Sequence, residues 1–232
     1  MTDTFFAEIR TLVAACTVLE VPNPEQDLAA WYHAVRGDKK QTLTYPRVVL
    51  FAGSHAGFDL APTQATVAAL ATDSHPVHRL CAAIDTDFSV HELALEEPVG
   101  ALGLHDCAEA VAYGMMMVDE AIDVIGVAAF GAGTVESAAR LRGQLGTADP
   151  LQLLQQQGGR EIAAACGVML AARMARVPVV LGGAGAVVAA ELIAALRADL
   201  LSHCLIVADA DETGALAVAE AVARLQNAVT AP

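Results

Sequence analysis

Apolar residues change their spacing several times along the 232-residue chain, and each change marks a new element. Phe5, Ile9, Leu12, Val13 and Cys16 recur every three or four positions, which predicts a helix over Thr4–Leu19. Pro22 and Pro24 end it, and a second helix is expected from Pro24 to about Arg36, followed by the polar connection Gly37–Thr42. The periodicity then disappears. Arg47–Ala52 is a short, almost unbroken apolar run that leads into Gly53-Ser-His-Ala-Gly57. Runs of this kind belong to parallel strands, which are covered on both faces and need no polar side. Phe88–Leu93, Ile122–Ala128, Val177–Leu181 and Cys204–Ala208 repeat the pattern.

Helical spacing fills the intervals: Thr63–Ala71, Pro76–Ile84, His105–Glu120, Val135–Leu145, Glu161–Ala175, Ala186–Leu200 and Gly214–Gln226. Strands alternating with helices of this length predict an α/β protein: a three-layer parallel sheet with helices on both faces, plus N-terminal helices packed to one side. The expected division is a helical segment over residues 1–45 and a parallel α/β domain over 46–232. Thr147–Pro150 and Gln155–Gln157 read as turn-like or polar spots.

Composition narrows the function. With 55% hydrophobic and 17% charged residues the chain is not disordered, and a formal charge of −14 opposes nucleic-acid binding. No export signal is visible at the start, and the most apolar stretch, Val177–Ala190, is interrupted by Pro178, Gly182, Gly183 and Gly185, which argues against a membrane span. Five widely spaced cysteines without a C-x-x-C pair read as small buried hydrophobes in a reducing cytoplasm. A mean hydropathy of +0.48 suggests apolar surface hidden in a homodimer.

The candidate chemistry collects at the strand ends, where open α/β sheets hold ligands. Gly131-Ala-Gly133-Thr134 follows a strand and opens a helix, a place where backbone N–H groups can receive an oxyanion or where glycine merely makes the turn. Glu136, in the same helical turn, would repel a phosphate. Gly182-Gly183 has the same two readings, with close helix–sheet packing favoured. Ser54-His55 could contact a ligand or act in proton transfer. Asp209, Asp211 and Glu212 exceed what capping a helix needs, so one of them could serve as a general base. No H-x-x-x-H or H-E-x-x-H spacing occurs, so a metal site has little support.

Several of these segments, taken in order, resemble one family. Gly158-Gly-Arg-Glu-Ile-Ala-Ala-Ala-Cys-Gly167, running on to Val177-Pro-Val179, is similar to the G-G-x-E-I-A-A and V-P-V segments of nicotinate-nucleotide–dimethylbenzimidazole phosphoribosyltransferases. Val48–His55 resembles their V-V-x-F-A-x-D-H, Asp123–Gly126 with Gly131–Gly133 their D-x-x-G and E-M-G-I-G-N-T-T, and Asp211–Ala215 their G-E-G-T-G-A. The resemblance implies a parallel α/β homodimer that needs no metal or cofactor. It implies transfer of phosphoribosyl from nicotinate mononucleotide to a benzimidazole-type base, in the synthesis of the cobalamin lower ligand. Asp211 or Glu212 would be the catalytic base. Ser54, His55, Gly131, Gly133, Thr134, Gly182, Gly183 and Thr213 would bind substrate. By this resemblance the chain would be a shortened and divergent member: the family's glycine-loop glutamate falls on Ala129, and its middle insert shrinks to about Gly146–Pro150. Those departures leave a second reading open, a paralogue that binds a nucleotide or aromatic base without turning it over.

Overall fold

The structure, a computed structural model, describes residues 2–37, 42–207 and 213–230. Helices α1 (Thr2–Ala15) and α2 (Leu28–Arg36) lead into strand β1 (Pro46–Ser54). Then follow α3 (Ala61–Leu70), α4 (Pro76–Ala83), β2 (Asp87–Glu92), α5 (Leu104–Met115) and β3 (Val124–Ala132). The second half contains α6 (Thr134–Gln144), α7 (Pro150–Gln157), α8 (Arg160–Ala175), β4 (Val179–Gly182), α9 (Gly183–Leu196), β5 (Cys204–Ile206) and α10 (Ala215–Thr230). The five strands seen among the described residues form one parallel sheet in the order β2-β1-β3-β4-β5. The expected α/β fold is the observed one.

Alternating side chains send each strand into two cores. Val49 and Phe51 of β1, Ile125, Val127 and Ala129 of β3, and Val179 and Leu181 of β4 meet the helices of one face, α5, α7, α8 and α9. Val48, Leu50, Val124, Ala128, Phe130 and Val180 meet α2, α4 and α10 on the other. The N-terminal helices flank the sheet but divide between its faces. Ile9 and Val13 of α1 join the first core, whereas Trp31, Tyr32 and Val35 of α2 join the second. Both are fastened by arginines reaching from the domain. Arg197 donates to the carbonyls of Val13 and Cys16 at 2.7 and 2.8 Å, and Arg176 to those of Ala34 and Val35, each at 2.9 Å. Donors at these last carbonyls satisfy groups that have no partner inside a helix.

One expectation is corrected in part. Thr147 lies in a turn as read, but Pro150 and Gln155–Gln157 belong to helix α7, with Asp149 accepting from the N–H groups of Leu151 and Gln152, both at 3.1 Å, and Pro150 at the first helical position. The acid and the proline that suggested a turn are here an N-cap and a helix start. Leu151, Leu153 and Leu154 are buried, whereas Gln152 and Gln156 are exposed.

The edges of the sheet are modest. β5 contributes three residues, and β2 alternates Phe88 and Val90 with Asp87, Ser89 and His91. Ser89 Oγ and Tyr113 Oη bond the two ring nitrogens of His91 at 2.8 and 2.7 Å.

Candidate active site at the crossover of the central strands

After β1 the chain moves outward to β2, and from β3 it proceeds the other way to β4 and β5. The connections therefore diverge between β1 and β3, which opens a crevice beyond the carboxyl ends of those two strands. The sequence puts its glycine turns there. Gly53 pairs in register with Gly131, and Ser54 with Ala132. The His55 N–H donates to the Ala132 carbonyl at 2.8 Å, carrying the contact one residue further.

Gly131 has φ +139°, and a Cβ on it would lie 2.0 Å from the Gly53 carbonyl oxygen. Only glycine allows the two strand ends to approach so closely. Gly133 has φ +83°, with Phe58 and His55 where a Cβ would project. It is the N-cap of α6, so the first amides of that helix open onto the crevice.

A cavity of about 350 Å³ occupies the crevice. Phe58, Thr63, Gly131–Glu136, Ala184 and Thr213 contribute to its wall. Gly131, Gly133, Thr134 and Thr213 of the expected set are thus together. Three larger clefts, of about 590, 910 and 520 Å³, lie along α1 and α8, between α10 and the edge strand β5, and at the amino ends of β1 and β2. None of them is lined by the glycine turns. Among the described residues no lysine or arginine lines the crevice, whereas Asp59 and Glu136 do. Any anion bound here would be held by backbone dipoles and hydroxyls, against two nearby carboxylates.

The other expected residues have different surroundings. The buried Ser54 hydroxyl donates to the Leu95 carbonyl at 2.8 Å, anchoring a neighbouring loop away from the cavity. Gly182 and Gly183 do not line the cavity. Gly183, at φ +78°, and Gly214, at φ +75°, sit backbone to backbone, since a Cβ on Gly214 would be 2.3 Å from the Gly183 nitrogen. Close packing, the favoured reading, describes this pair. The Thr213 side chain accepts from the Ala215 N–H at 3.1 Å. Asp209, Asp211 and Glu212 lie outside the described residues.

Behind the cavity wall is a group to which the sequence motif had given no role. Glu161, in the first turn of α8, is fully buried. Its Oε1 bonds His55 Nε2 at 2.9 Å and accepts from Thr134 Oγ1 at 3.0 Å. His55 and Thr134 are themselves buried. A signal was available: Glu161 is the single acid beside an apolar run from Ile162 to Leu170, just after two glycines. A carboxylate there must either spoil a core or find partners in it.

A family model described as phosphoribosyltransferase matches residues 133–226, from the crevice turn into α10. The nicotinate-nucleotide–dimethylbenzimidazole phosphoribosyltransferase of Agrobacterium fabrum is 31% identical, over 84% of this chain and 71% of its own length. That of Rhizobium rhizogenes is also 31% identical, over 78% and 68% respectively. The fold is shared with the crystal structure of the Thermus thermophilus protein of the same description, at a TM-score of 0.72 and 16% identity, covering 100% of this chain and 97% of that one. A second structure, CobT from Thermus thermophilus, gives 0.75 at 17% identity, covering 97% of this chain and 95% of that one. With glycine turns, crevice and relatives in agreement, the chain is a member of the nicotinate-nucleotide–dimethylbenzimidazole phosphoribosyltransferase family.

Proposed function

We propose that this protein transfers the phosphoribosyl group of nicotinate mononucleotide to a benzimidazole-type base, the reaction its relatives are named for. The observation that carries this reading is a match over most of the chain that includes the turn bordering the cavity. In the proposed step, an azole nitrogen forms a bond to the ribose anomeric carbon. The bond from that carbon to the pyridinium nitrogen breaks, and its electron pair neutralises the departing nicotinate. The proton of the attacking azole passes to a carboxylate, Asp211 or Glu212. In the sequence these two residues directly precede Thr213, which borders the cavity.

Gly131, Gly133 and Thr134 would receive the phosphate through the amide-rich start of α6. Ser54, His55, Gly182 and Gly183 would support that wall from behind. The substrates are a nucleotide and an aromatic base, and no cofactor takes part in this scheme. Homodimeric assembly and a cytoplasmic location belong to the same proposal. Large apolar side chains left on the surface, Val18, Met116 and Met174 among them, favour assembly. Among the described residues no helix is long and apolar enough to cross a membrane.

The test is nicotinate release from nicotinate mononucleotide, with and without dimethylbenzimidazole. Base-dependent release is expected. Either Asp211→Asn or Glu212→Gln should lower it by about 10²–10⁴-fold, the usual contribution of a positioned general base. Turnover unaffected by both substitutions would remove the acidic cluster from the mechanism. Absence of turnover in the wild type would remove the transferase reading.

A further inference from the structure

Glu161 touches no part of the cavity, yet two pieces of its wall depend on it. Its Oε1 holds the Thr134 hydroxyl and the His55 imidazole at 3.0 and 2.9 Å. Those groups follow the ends of β3 and β1 and are 79 residues apart in the chain. A second side-chain bond runs in parallel, from Ser137 Oγ to the Gln157 carbonyl. The first turn of α6 is therefore tied twice to the corner that starts α8.

The chain makes room for this carboxylate at a cost in side chains. A Cβ on Gly53 would fall 2.0 Å from Glu161 Oε2, and one on Gly159 would fall 2.2 Å from the same oxygen and 2.6 Å from His55 Nε2. Oε2 itself is buried without a hydrogen-bond partner. A buried acid with one unsatisfied oxygen is an expensive way to fill space, since an apolar side chain would pack there without a desolvation penalty. The geometry is that of an orienting group. With the carboxylate accepting from both partners, the His55 proton is kept on Nε2 and the Thr134 hydroxyl hydrogen is turned away from the cavity, so that the hydroxyl offers lone pairs to a donor group of the ligand such as a ribose hydroxyl and leaves the phosphate to the backbone amides of the turn.

We propose that Glu161 is a positioning residue for the reaction, acting through Thr134 and His55 to fix the shape and hydrogen-bond polarity of the Gly131–Thr134 turn. The activity part of this inference rests on the transferase reading; the structural part does not.

The experiment compares wild type with Glu161→Gln, Thr134→Val, Thr134→Ser and the Glu161→Gln/Thr134→Val double variant, all in the full chain. In the ligand-free protein, long-range proton–nitrogen NMR of the His55 ring should show the proton of the neutral form on Nε2. A ring protonated on Nδ1 would overturn the proposal whether or not the enzyme is active. Amide hydrogen exchange at residues 131–134 should speed up at least tenfold in Glu161→Gln and in Thr134→Val, while β4 stays protected. Unchanged exchange at the turn in both variants would also overturn it.

Where the wild type turns over, Glu161→Gln and Thr134→Val should each raise KM for nicotinate mononucleotide by roughly 10-fold or more with a smaller change in kcat, as loss of ligand positioning does. Thr134→Ser, which keeps the hydroxyl, should recover most of that loss, and the double variant should be little worse than either single one. Additive losses would place Glu161 outside a shared unit and overturn the proposal. If Glu161→Gln fails to fold, the Thr134 pair still decides the matter, because valine and serine differ in the hydroxyl on which the bond depends. Wild-type inactivity, with the ring and exchange results as expected, would sink the transferase reading alone.

Discussion

At the level of single residues, the crevice depends on atoms that are absent. Gly131→Ala would combine a left-handed backbone angle with a Cβ placed against the Gly53 carbonyl. The expected loss is about 2–4 kcal/mol, seen as a lower midpoint in thermal denaturation together with lost ligand binding. Glu136 acts in the opposite sense. It is exposed at the cavity wall and disfavours an anion there. Glu136→Gln should tighten nicotinate mononucleotide about two- to threefold at low ionic strength, and calorimetry near 1 M salt should show the gain gone. His203 supplies a pH dependence. It is fully buried against the Met169 carbonyl at 3.0 Å, and burial, helped by the nearby Arg173 charge, lowers its pKa from 6.5 to about 4. The unfolded chain takes up a proton below about pH 6.5 that the folded protein refuses until about pH 4. Stability contributed by keeping His203 neutral is therefore present above 6.5 and lost as pH falls through that window, up to about 3 kcal/mol. The stability difference between wild type and His203→Gln, from denaturant melts, should change by about this amount between pH 7 and pH 4. Part of the cavity wall was legible at this scale: Gly131, Gly133, Thr134 and Thr213 stand beside apolar runs that mark strand ends, whereas Ser54, His55, Gly182 and Gly183 lie outside that wall. Glu161 was not, because its partners are 27 and 106 positions away and only folding brings them together.

Among elements, the tightest contact is between α5 and α8. A Cβ on Gly114 would lie 1.9 Å from the Ala164 carbonyl oxygen, and one on Gly167 would lie 2.0 Å from that of Val111. Both obstacles are helix backbone, which cannot step aside as a flexible side chain would. Gly167→Val should thus separate the helices and cost about 3 kcal/mol or more, measurable as a fall in denaturation midpoint; Ala163→Val on the same helix offers a comparison for simple overpacking. The helix also carries Glu161 at its start, so the displacement should reach the crevice and weaken ligand binding. The strands of this layer announced themselves by unbroken apolar runs, and most helices by their spacing. Helix α7 escaped because its outward glutamines and its proline start look like a turn until Leu151 and Leu154 are seen to be buried. Ends were harder than elements: α1 stops at Ala15 rather than Leu19, where apolar spacing continues but the backbone does not.

For the whole molecule, the arginine contacts decide whether the N-terminal segment stays with the domain. Arg197 also pairs with Asp199 at 2.7 Å, so its guanidinium is held in place before it reaches the α1 carbonyls. Arg197→Ala should leave the sheet folded but expose α1 to limited proteolysis at a rate several-fold above wild type, with cleavage mapped near Thr17 by mass spectrometry; equal rates would show that the apolar contacts of Ile9 and Val13 suffice. The proposed division at residue 45 predicts a second cleavage near that residue, after α2, in the same digests. The borders of the sheet have a further consequence. A chain with 55% hydrophobic residues invites its copies to add strands to one another, and the open rows of amides and carbonyls on the outermost strands are where that would begin. With three residues in β5 and a polar alternation along β2, neither border is a good template. Crowded solutions of this protein should therefore fail, when they do, by loosening of the helical layers and not by fibre growth from the native sheet.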